Sequence, residues 1–489
     1  MSGGGRAIAS GLPLTFISFA FPKSKDSANA KPIRKFMPDT KYVDFNLQLQ
    51  GPNGTTNQFE VAVLPSSEIE GTREPTSVPY DFDEFRYDLT DLENKKIDSG
   101  DLIGLGKKLA DRLLPTGKVR ELFQQAISKA GSDGGVRLRL WIRGYKLAQI
   151  PWEYSYLSLQ TSQDDSEDRN NFLVLNPKIS VVRHEGLEGE YPSLQAKTPN
   201  QLSLVMAFAN VQDQKYPPLK LEKEKEGIEK ALLEFEGKSV KLDWEASENS
   251  TIESLRSILQ KKKPDIFHFA GHGDFVELDI DPVTGEPKGV GSLVLLENLE
   301  TKAPKLLPAD ALARELSAAG VRVAILGACR TGRRDGVSAW TGVAPALIKM
   351  GIPIVVAMQY EVKDASAIAF SKWFYTSLVN GLSIDEAIGV ARRSMLDASK
   401  DENNLEWGVP VVYMRSRDSI LIPSVEGQPQ PETSDGLRLI AKADVRTIRG
   451  STFTVMKIGQ ITKANVLEAG LKAELIENAV VTVVEILNA

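Results

Sequence analysis

Short apolar strands alternate with amphipathic helices along the middle of this chain, and this alternation constrains the fold more than any other feature. Runs of about five apolar residues are separated by stretches in which apolar residues recur at helical spacing. Such alternation implies a parallel sheet covered by helices, so we predict an α/β fold with a mostly parallel sheet flanked by helices. The strands are expected at 202–208, 240–242, 266–270, 323–327, 354–358 and 411–414, and the helices at 224–236, 252–260, 310–319, 342–349, 365–379 and 383–398.

The two ends of the chain have different patterns. Residues 41–64 alternate, turn at 51–54 and alternate again, which predicts a β-hairpin, and helical spacing follows around Leu102 to Leu113. Residues 137–143 alternate arginine with apolar residues and are typical of an edge or half-exposed strand. Near the other end, residues 465–474 can form a helix among strand patterns, which predicts a small α+β module.

These patterns divide the chain into five regions, and no internal repeat is recognised among them. The predicted regions are a flexible leader (1–40), a hairpin and helical extension (41–135), the sheet domain (136–417), a linker (418–435), and the small C-terminal module (436–489).

Composition excludes several classes of protein. A net charge of −6 without a long basic stripe argues against nucleic acid as a ligand. No apolar run reaches the roughly 18 residues that a membrane-spanning helix needs, so no membrane association is expected. The single cysteine cannot form an internal disulfide, which favours a reducing cytoplasm. Three widely spaced histidines and one cysteine provide no zinc-ligand spacing, so we predict no metal and no cofactor.

Two segments carry residues suited to catalysis. Residues 267–273 contain His272 and residues 325–332 contain Cys329, each at the expected carboxyl end of a parallel strand, where functional groups collect. A thiol acts as a nucleophile when it is ionised, and a nearby imidazole can take its proton. The amide of Gly273 can point at a developing oxyanion. A lone free cysteine is more often a small buried residue, but its pairing with a histidine favours a cysteine peptidase.

The other two histidines have simpler interpretations. His268 lies between Phe267 and Phe269, so it is expected to be a core residue or to support the site from within the core. His184 lies beside Arg183 and Glu185 and is expected at the surface or in a polar pair.

Taken in order, these motifs resemble the CHAT domain family, caspase-like relatives of the separases. The resemblance covers residues 41–415, and its motifs are His272-Gly273, Gly327-Ala328-Cys329, the strand at Leu293, Pro151-Trp152-Glu153, the helix and strand from Gly342 to Met358, Phe374-Tyr375 with Leu378 and Gly381, and Glu386-Ala387. The 57 residues between His272 and Cys329 are close to the roughly 50-residue separation in caspases. Two departures concern specificity: Arg330 replaces a frequent acidic residue, and Gln359 or Tyr360 stands where tryptophan is frequent.

The resemblance implies a cysteine endopeptidase with His272 as general base and acid and Cys329 as nucleophile, and it implies no obligatory third carboxylate. The alternative is a catalytically silent CHAT scaffold for protein–protein contact. Bacterial members of the family often serve in defence or cell death, cutting a dedicated protein such as a gasdermin-like pore former. We therefore expect a protein substrate, low basal activity and an activator protein, docked by residues 436–489 or by the leader.

The residue accepted at the cleavage position is expected to be arginine or lysine. The turn at 359–364 is similar to the acidic turn of the separases that lines a pocket for basic residues. Asp364 is the first choice for the pairing carboxylate, followed by Glu361 and Asp274. Two alternatives remain open. Arg330, Arg333 and Arg334 could instead favour an acidic residue, and Asp364 could simply cap a helix beginning at Ala365.

Overall fold

The structure is a computed structural model, and it describes most of the chain from residue 41 onward. The described ranges are 41–51, 57–80, 82–159, 168–184, 194, 201–233, 241–280, 287–327, 339–398, 404–421, 437–449, 452–458, 464–477 and 480–486. The larger of two compact units spans residues 37–424, and the other includes residues 425–489.

The larger unit is built from strands and helices in alternation, as predicted. Its described strands are β1 (Tyr42–Gln50), β2 (Gln58–Leu64), β3 (Thr76–Pro79), β4 (Gly135–Arg143), β5 (Ile179–His184), β6 (Gln201–Ala209), β7 (Lys241–Ser247), β8 (Ile266–Ile280), β9 (Pro287–Leu296), β10 (Pro304–Pro308), β11 (Val323–Gly327), β12 (Ile354–Met358) and β13 (Pro410–Met414). Its described helices are α1 (Phe82–Glu93), α2 (Ser99–Leu113), α3 (Lys118–Ala130), α4 (Tyr145–Gln149), α5 (Leu221–Leu233), α6 (Ile252–Lys262), α7 (Ala309–Ala319), α8 (Ala339–Lys349), α9 (Asp364–Val379) and α10 (Ile384–Ala398).

These strands form one largely parallel sheet. Strands β7, β6, β8, β11 and β12 lie side by side in that order, and every pairing among them is parallel. The sheet continues through β13, β5, β4 and β1, ending in an antiparallel β1–β2–β3 meander. Six of the helices pack in two groups, α5 with α9 and α10, and α6 with α7 and α8, while α1 packs on α2 and α3 packs on β1 and β4. The predicted fold class, a mostly parallel sheet flanked by helices, is confirmed.

The central strands are buried on both faces, as their composition predicts. All five residues of β11 and all five of β12 are buried. Uninterrupted apolar runs of this kind are typical of parallel strands covered on both sides. By contrast, β1 buries every second residue, which matches its alternating sequence.

The prediction of an edge strand at residues 137–143 is wrong. Strand β4 lies inside the sheet, parallel to both β1 and β5. Two of its arginines, Arg137 and Arg139, are buried, and each has an acidic partner: Arg137 Nη2 lies 2.5 Å from Asp385 Oδ2, and Arg139 Nε lies 3.1 Å from Asp44 Oδ1. A strand in which arginine alternates with apolar residues can therefore lie inside the sheet here, because carboxylates from distant parts of the chain neutralise the buried guanidinium groups.

The smaller unit contains strands and no helix among its described residues. These strands are β14 (Leu437–Arg449), β15 (Thr452–Ile458), β16 (Ala464–Glu477) and β17 (Val480–Ile486). Strand β14 pairs in parallel with β16, and β15 pairs in parallel with β17. The predicted helix at 465–474, and with it the α+β assignment of this module, is wrong, because pairing between strands overrides the local helical preference.

None of the helices in the described ranges is both long enough and apolar enough to cross a lipid bilayer.

Candidate active site

His272 stands where strand β8 leaves the parallel sheet. Up to Ala270 and Gly271, β8 pairs in parallel with β11 and β6. From His272 onward it pairs with β9 in the antiparallel direction, with His272 opposite Val294. The prediction that this strand ends at Ala270 is wrong, because the strand changes partner and continues to Ile280. His272 nevertheless lies just beyond the last parallel pairing.

A backbone carbonyl orients the imidazole of His272. The side chain is fully buried, and its Nε2 lies 2.8 Å from the carbonyl oxygen of Pro217. A carbonyl oxygen only accepts hydrogen bonds, so Nε2 carries a proton and Nδ1 is the nitrogen that takes up another. The ring of Tyr216 lies 5.4 Å from the imidazole, centroid to centroid, and packs beside it.

Asp274 attaches the segment around Pro217 to β8. Its Oδ2 accepts hydrogen bonds from Lys215 Nζ at 2.6 Å and from the Tyr216 hydroxyl at 2.8 Å, and its Oδ1 accepts one from the Phe275 amide at 3.0 Å. Partial burial has the largest single effect and lowers the pKa of Lys215, but the combined hydrogen bonds and attraction of Asp274 and Tyr216 leave that pKa raised. The carboxylate therefore holds the residues that neighbour Pro217, and through them the carbonyl that faces His272.

Sequence reasoning missed Lys215, Tyr216 and Pro217. These residues lie in the loop that follows β6, and Pro217 precedes His272 by 55 residues in the sequence. The only local signal is the pair Pro217-Pro218, which restricts the backbone after Tyr216.

Cys329 lies outside the described residues, as do Arg330, Arg333 and Arg334. The preceding strand β11 is described up to Gly327, which pairs with Ala270 of β8. The described part of the cysteine segment therefore ends beside the strand that carries His272, two residues before Cys329 in sequence.

A buried polar cluster lies beside Gly327. His268 is fully buried, with Nδ1 hydrogen-bonded to the Tyr375 hydroxyl at 3.0 Å and Nε2 3.5 Å from Glu224 Oε1. Ser371 Oγ donates to the same Glu224 oxygen at 2.8 Å. A Cβ atom at Gly327 would be 3.5 Å from His268 Nε2 and 3.4 Å from Glu224 Oε1. This agrees with the prediction that His268 is a core residue.

The three carboxylates proposed for specificity have different surroundings. Asp274 is buried and bound by Lys215 and Tyr216, as described above. Asp364 is 37% exposed, and its Oδ2 lies 3.3 Å from Lys220 Nζ. Glu361 is half-buried in the segment between β12 and α9. The alternative role of Asp364 as a helix cap is wrong, because Asp364 is the first residue of α9 itself and Lys363 precedes it.

The turn after β12 is held by a buried ion pair. Gln359 Nε2 donates to Glu153 Oε2 at 3.2 Å and to the Gly408 carbonyl at 3.0 Å. Glu153, from the Pro151-Trp152-Glu153 motif, also binds Arg183 through Nε at 3.0 Å and Nη2 at 2.7 Å. Burial has the largest single effect and lowers the pKa of Arg183, but attraction to Glu153, the hydrogen bond to Glu153 and the smaller effects of Tyr413 and Tyr360 together raise that pKa. The motif thus supports the turn that carries Glu361 and leads to Asp364.

Tyr216 also lines a cavity of about 590 Å³. Its apolar lining includes Phe208, Val211 and Leu221, and its acidic lining includes Glu222 and Glu226. The volume is within the range of typical ligand sites, roughly 300–1,000 Å³. Tyr216 therefore contacts both His272 and a cavity large enough for side chains of a peptide.

Comparison with known proteins defines the family. The CHAT domain profile matches residues 104–432, which is more than half of the chain, and the protein belongs to the CHAT domain family. The family suggested by the sequence motifs is thereby confirmed. No curated protein matches the chain in sequence.

Two solved structures illustrate more distant likeness. Gingipain R, an Arg-specific cysteine proteinase, is 11% identical with a TM-score of 0.38, over 74% of this chain and 81% of that chain. The separase of Saccharomyces cerevisiae, in its complex with securin, is 12% identical with a TM-score of 0.40, over 76% of this chain and 30% of that chain. At these identities, residue roles do not pass from one chain to the other.

Proposed function

We propose that this protein is a cysteine endopeptidase in which His272 and Cys329 form the catalytic pair. The observation that carries the proposal is the orientation of His272, whose Nε2 is held by the Pro217 carbonyl at the edge of the parallel sheet. Membership of the CHAT domain family supports it, as does the arrival of β11, the strand before Cys329, beside β8.

In the proposed reaction, Nδ1 of His272 takes the proton of the Cys329 thiol, and the thiolate sulfur attacks the carbonyl carbon of the scissile peptide bond. The C–N bond breaks, His272 gives its proton to the leaving amine, and a thioester remains on Cys329. Water then attacks the thioester while His272 accepts one of its protons. The C–S bond breaks, the acid product leaves, and the proton returns to the thiolate. The Gly273 amide is the proposed donor to the oxyanion.

Low basal activity is part of the proposal. The imidazole of His272 has no exposed surface, so a protein substrate can reach it only after the chain around it has moved. An activator protein that favours the open arrangement would shift that equilibrium by its difference in affinity for the two states. By resemblance to bacterial CHAT proteins, we propose a defence or cell-death role, with a protein substrate such as a gasdermin-like pore former.

The single cysteine makes a direct test possible. Any thiol alkylation of the chain reports on Cys329, so iodoacetamide labelling can be followed by mass spectrometry at pH 6–8 with candidate activators present. Because an adjacent imidazole lowers a thiol pKa, we expect His272→Ala to slow labelling at pH 7 by about tenfold. The control is His184→Gln, which removes a buried imidazole stacked on Trp141 in another part of the sheet.

The competing function is a silent CHAT scaffold. If wild-type Cys329 labels no faster than a free thiol at neutral pH, with or without candidate partners, the peptidase proposal fails and the scaffold remains. Equal labelling rates for wild-type and His272→Ala would also remove His272 from the site.

We further propose that the cleavage site follows arginine or lysine, with Asp364 as the pairing carboxylate. Asp364 is more exposed than Asp274, and its partner Lys220 is itself largely exposed, so the pair can exchange with solvent or substrate. Glu361 is the second choice. The arginines at 330, 333 and 334 support the opposite preference, for an acidic residue.

A fluorogenic peptide panel, assayed with activator, decides between these preferences. We expect Asp364→Ala to reduce cleavage after arginine about tenfold, mainly through KM. The matched control is Asp310→Ala, which removes an aspartate from the first turn of α7 that pairs with Arg314 at 2.9 Å. Cleavage after aspartate, or an unchanged preference in Asp364→Ala, would contradict the proposal.

A further inference from the structure

The C-terminal strands repeat at an interval of 28 residues. In the β14–β16 sheet, Arg438 lies beside Val466, and in the β15–β17 sheet, Thr452 lies beside Val480. Each sheet therefore takes one strand from each of two equivalent segments, repeat A (438–458) and repeat B (466–486). Identical residues recur at this interval in Leu439 and Leu467, Ala441 and Ala469, Ile448 and Ile476, Thr454 and Thr482, Val455 and Val483, and Ile458 and Ile486. Sequence inspection did not recognise this repeat.

Opposite charges occupy matching register positions in the two repeats. Asp444 lies beside Lys472, Arg449 beside Glu477, and Lys457 beside Glu485. At these three positions the charges of repeat A are negative, positive and positive, and those of repeat B are positive, negative and negative. Oppositely charged residues on adjacent strands stabilise a sheet, whereas like charges directly opposite destabilise it. The pattern favours stacking A on B and disfavours stacking A on A or B on B.

Both sheets have open edges within the described part of the chain. There, β14 and β16 pair only with each other, and so do β15 and β17. An edge strand presents a row of backbone donors and acceptors to any strand of matching register. Sheets of only two strands are also marginally stable alone, so further strands would stabilise them.

We propose that a second copy of this chain binds these edges, with its repeat A on the repeat B of the first copy. The internal A–B contact and the contact between chains would then share one register. At all three charged positions, each residue inside the stack would lie between two residues of opposite charge. A contact that joins two different surfaces leaves one of each surface unoccupied at the two ends, and in-register parallel strands add along one axis, so the chains would form an open stack.

Such stacking would raise the local concentration of the units that span residues 37–424. Tethered partners meet at effective concentrations up to the millimolar range. The stack would therefore act as the activating or scaffolding device of the protein. This consequence rests on the proposed function, but the stacking itself does not.

Charge exchange tests the register directly in the full-length chain. Self-association is measured by sedimentation velocity and light scattering over a concentration series, with no activity readout. We expect the wild-type chain to associate, and Arg449→Glu with Lys457→Glu to weaken association by about tenfold or more, because both positions become like-charged. Adding Glu477→Lys and Glu485→Lys exchanges the charges completely and should restore association to the wild-type level.

A mixing experiment isolates the contact between chains. Wild-type and fully exchanged chains both have opposite charges inside each molecule, but two like-charged positions arise wherever one binds the other. With distinct N-terminal fluorescent fusions, we expect each to assemble with its own kind and to co-assemble about tenfold less. A wild-type chain that stays monomeric to its solubility limit would overturn the proposal. Association that survives the two-site reversal, is not restored by the four-site exchange, or mixes the two chains equally would also overturn it.

Discussion

Charged side chains in the core of this protein are paired rather than excluded. Glu153 and Arg183 are both almost completely buried and form two hydrogen bonds between them. Taking two charges out of water is costly, and their attraction offsets that cost only while both partners are present. Removing one partner should therefore lower the free energy of unfolding by more than the net stabilisation that the intact pair provides.

We expect Glu153→Gln to destabilise the protein by about 3–5 kcal/mol, because Arg183 would remain buried without a counter-charge. The measurement is the free energy of unfolding from urea denaturation at pH 7. The matched control is Asp310→Asn, whose partner Arg314 is exposed. Breaking that surface pair should cost less than about 1 kcal/mol. Equal effects of the two substitutions would show that burial does not determine the cost.

The contacts of Asp274 predict a positioning role in place of substrate recognition. If it holds Lys215 and Tyr216, Asp274→Asn should lower kcat about tenfold and leave KM and the preferred cleavage residue unchanged, because small displacements of catalytic groups are costly. Peptidase assays with arginine and aspartate substrates provide the measurement. Asp213→Asn, which alters the same loop where Asp213 accepts from the Lys215 amide at 2.8 Å, is the control. A changed preference with kcat intact would instead make Asp274 a specificity residue.

At the scale of the element, two of the three glycines of helix α2, Gly104 and Gly106, have opposite surroundings. A Cβ atom at Gly106 would lie 2.7 Å from the Tyr154 carbonyl oxygen and 2.7 Å from Tyr156 Cβ, whereas one at Gly104 would meet nothing within 4 Å. Gly106 is therefore where α2 approaches the backbone of the segment after the Pro151-Trp152-Glu153 motif.

Alanine at these two positions should have opposite effects. Gly106→Ala forces α2 away from Tyr154 and should destabilise the protein by about 1–3 kcal/mol. Gly104→Ala should stabilise it by up to about 1 kcal/mol, because alanine has the higher helix propensity. Urea denaturation of both variants checks this, and a shift in the same direction for both would contradict the close approach at Gly106.

Asp385 links helix α10 to two strands, and its ionisation should make the free energy of unfolding depend on pH in the acidic range. Its carboxylate accepts hydrogen bonds from Arg137 of β4 and from Ser180 of β5. Burial has the largest single effect and raises the pKa of Asp385, but the attraction and hydrogen bond of Arg137, together with the hydrogen bonds of Ser180 and Ser419, leave that pKa below its ordinary value of 3.8. Because the pKa of Asp385 is lower in the folded protein than in the unfolded chain, the stabilisation by its ionised carboxylate is complete above about pH 4. It is lost as the pH falls through the folded pKa.

We therefore expect Asp385→Asn to be less stable than wild type at pH 7, by about 3–5 kcal/mol, with the difference shrinking as the pH falls below 4. Urea midpoints at pH 7 and pH 3 provide the comparison. A difference that stays constant between those two pH values would show that the Asp385 carboxylate is not the group whose ionisation matters.

For the whole molecule, the fold consists of two units that have separate sheets. The described buried core runs from Val43 to Leu421, and no strand before Met414 pairs with one after Leu437 among the residues described. We expect a chain truncated after Ser424 to keep its thermal midpoint within about 2 °C, since two to four degrees correspond to about 1 kcal/mol for a large domain. A fall of more than about 5 °C, measured by calorimetry, would show that residues 425–489 stabilise the larger unit.

Local patterns were sufficient for the sheet and for the choice of residues in the proposed site. Apolar runs separated by helical spacing predicted a mostly parallel sheet covered by helices, because side-chain periodicity reports which faces are buried. The histidine and cysteine motifs were sufficient to identify the family, because their order along the chain can be read from the sequence without knowledge of the fold. The roles of His272 and Cys329 in catalysis remain predictions.

What only the tertiary structure decided are contacts between residues far apart in sequence. The partner of Arg137 is 248 residues away, so its alternating pattern gave the wrong prediction of an edge strand. His184, expected at the surface or in a polar pair, is buried and stacked on Trp141. The contact of the Pro217 carbonyl with His272, and the pairing that turns a predicted helix into β16, join residues 55 and 28 positions apart. Periodicity along a chain reports burial, but the partners that neutralise a charge, orient a ring or pair with a strand are set by how the chain returns on itself.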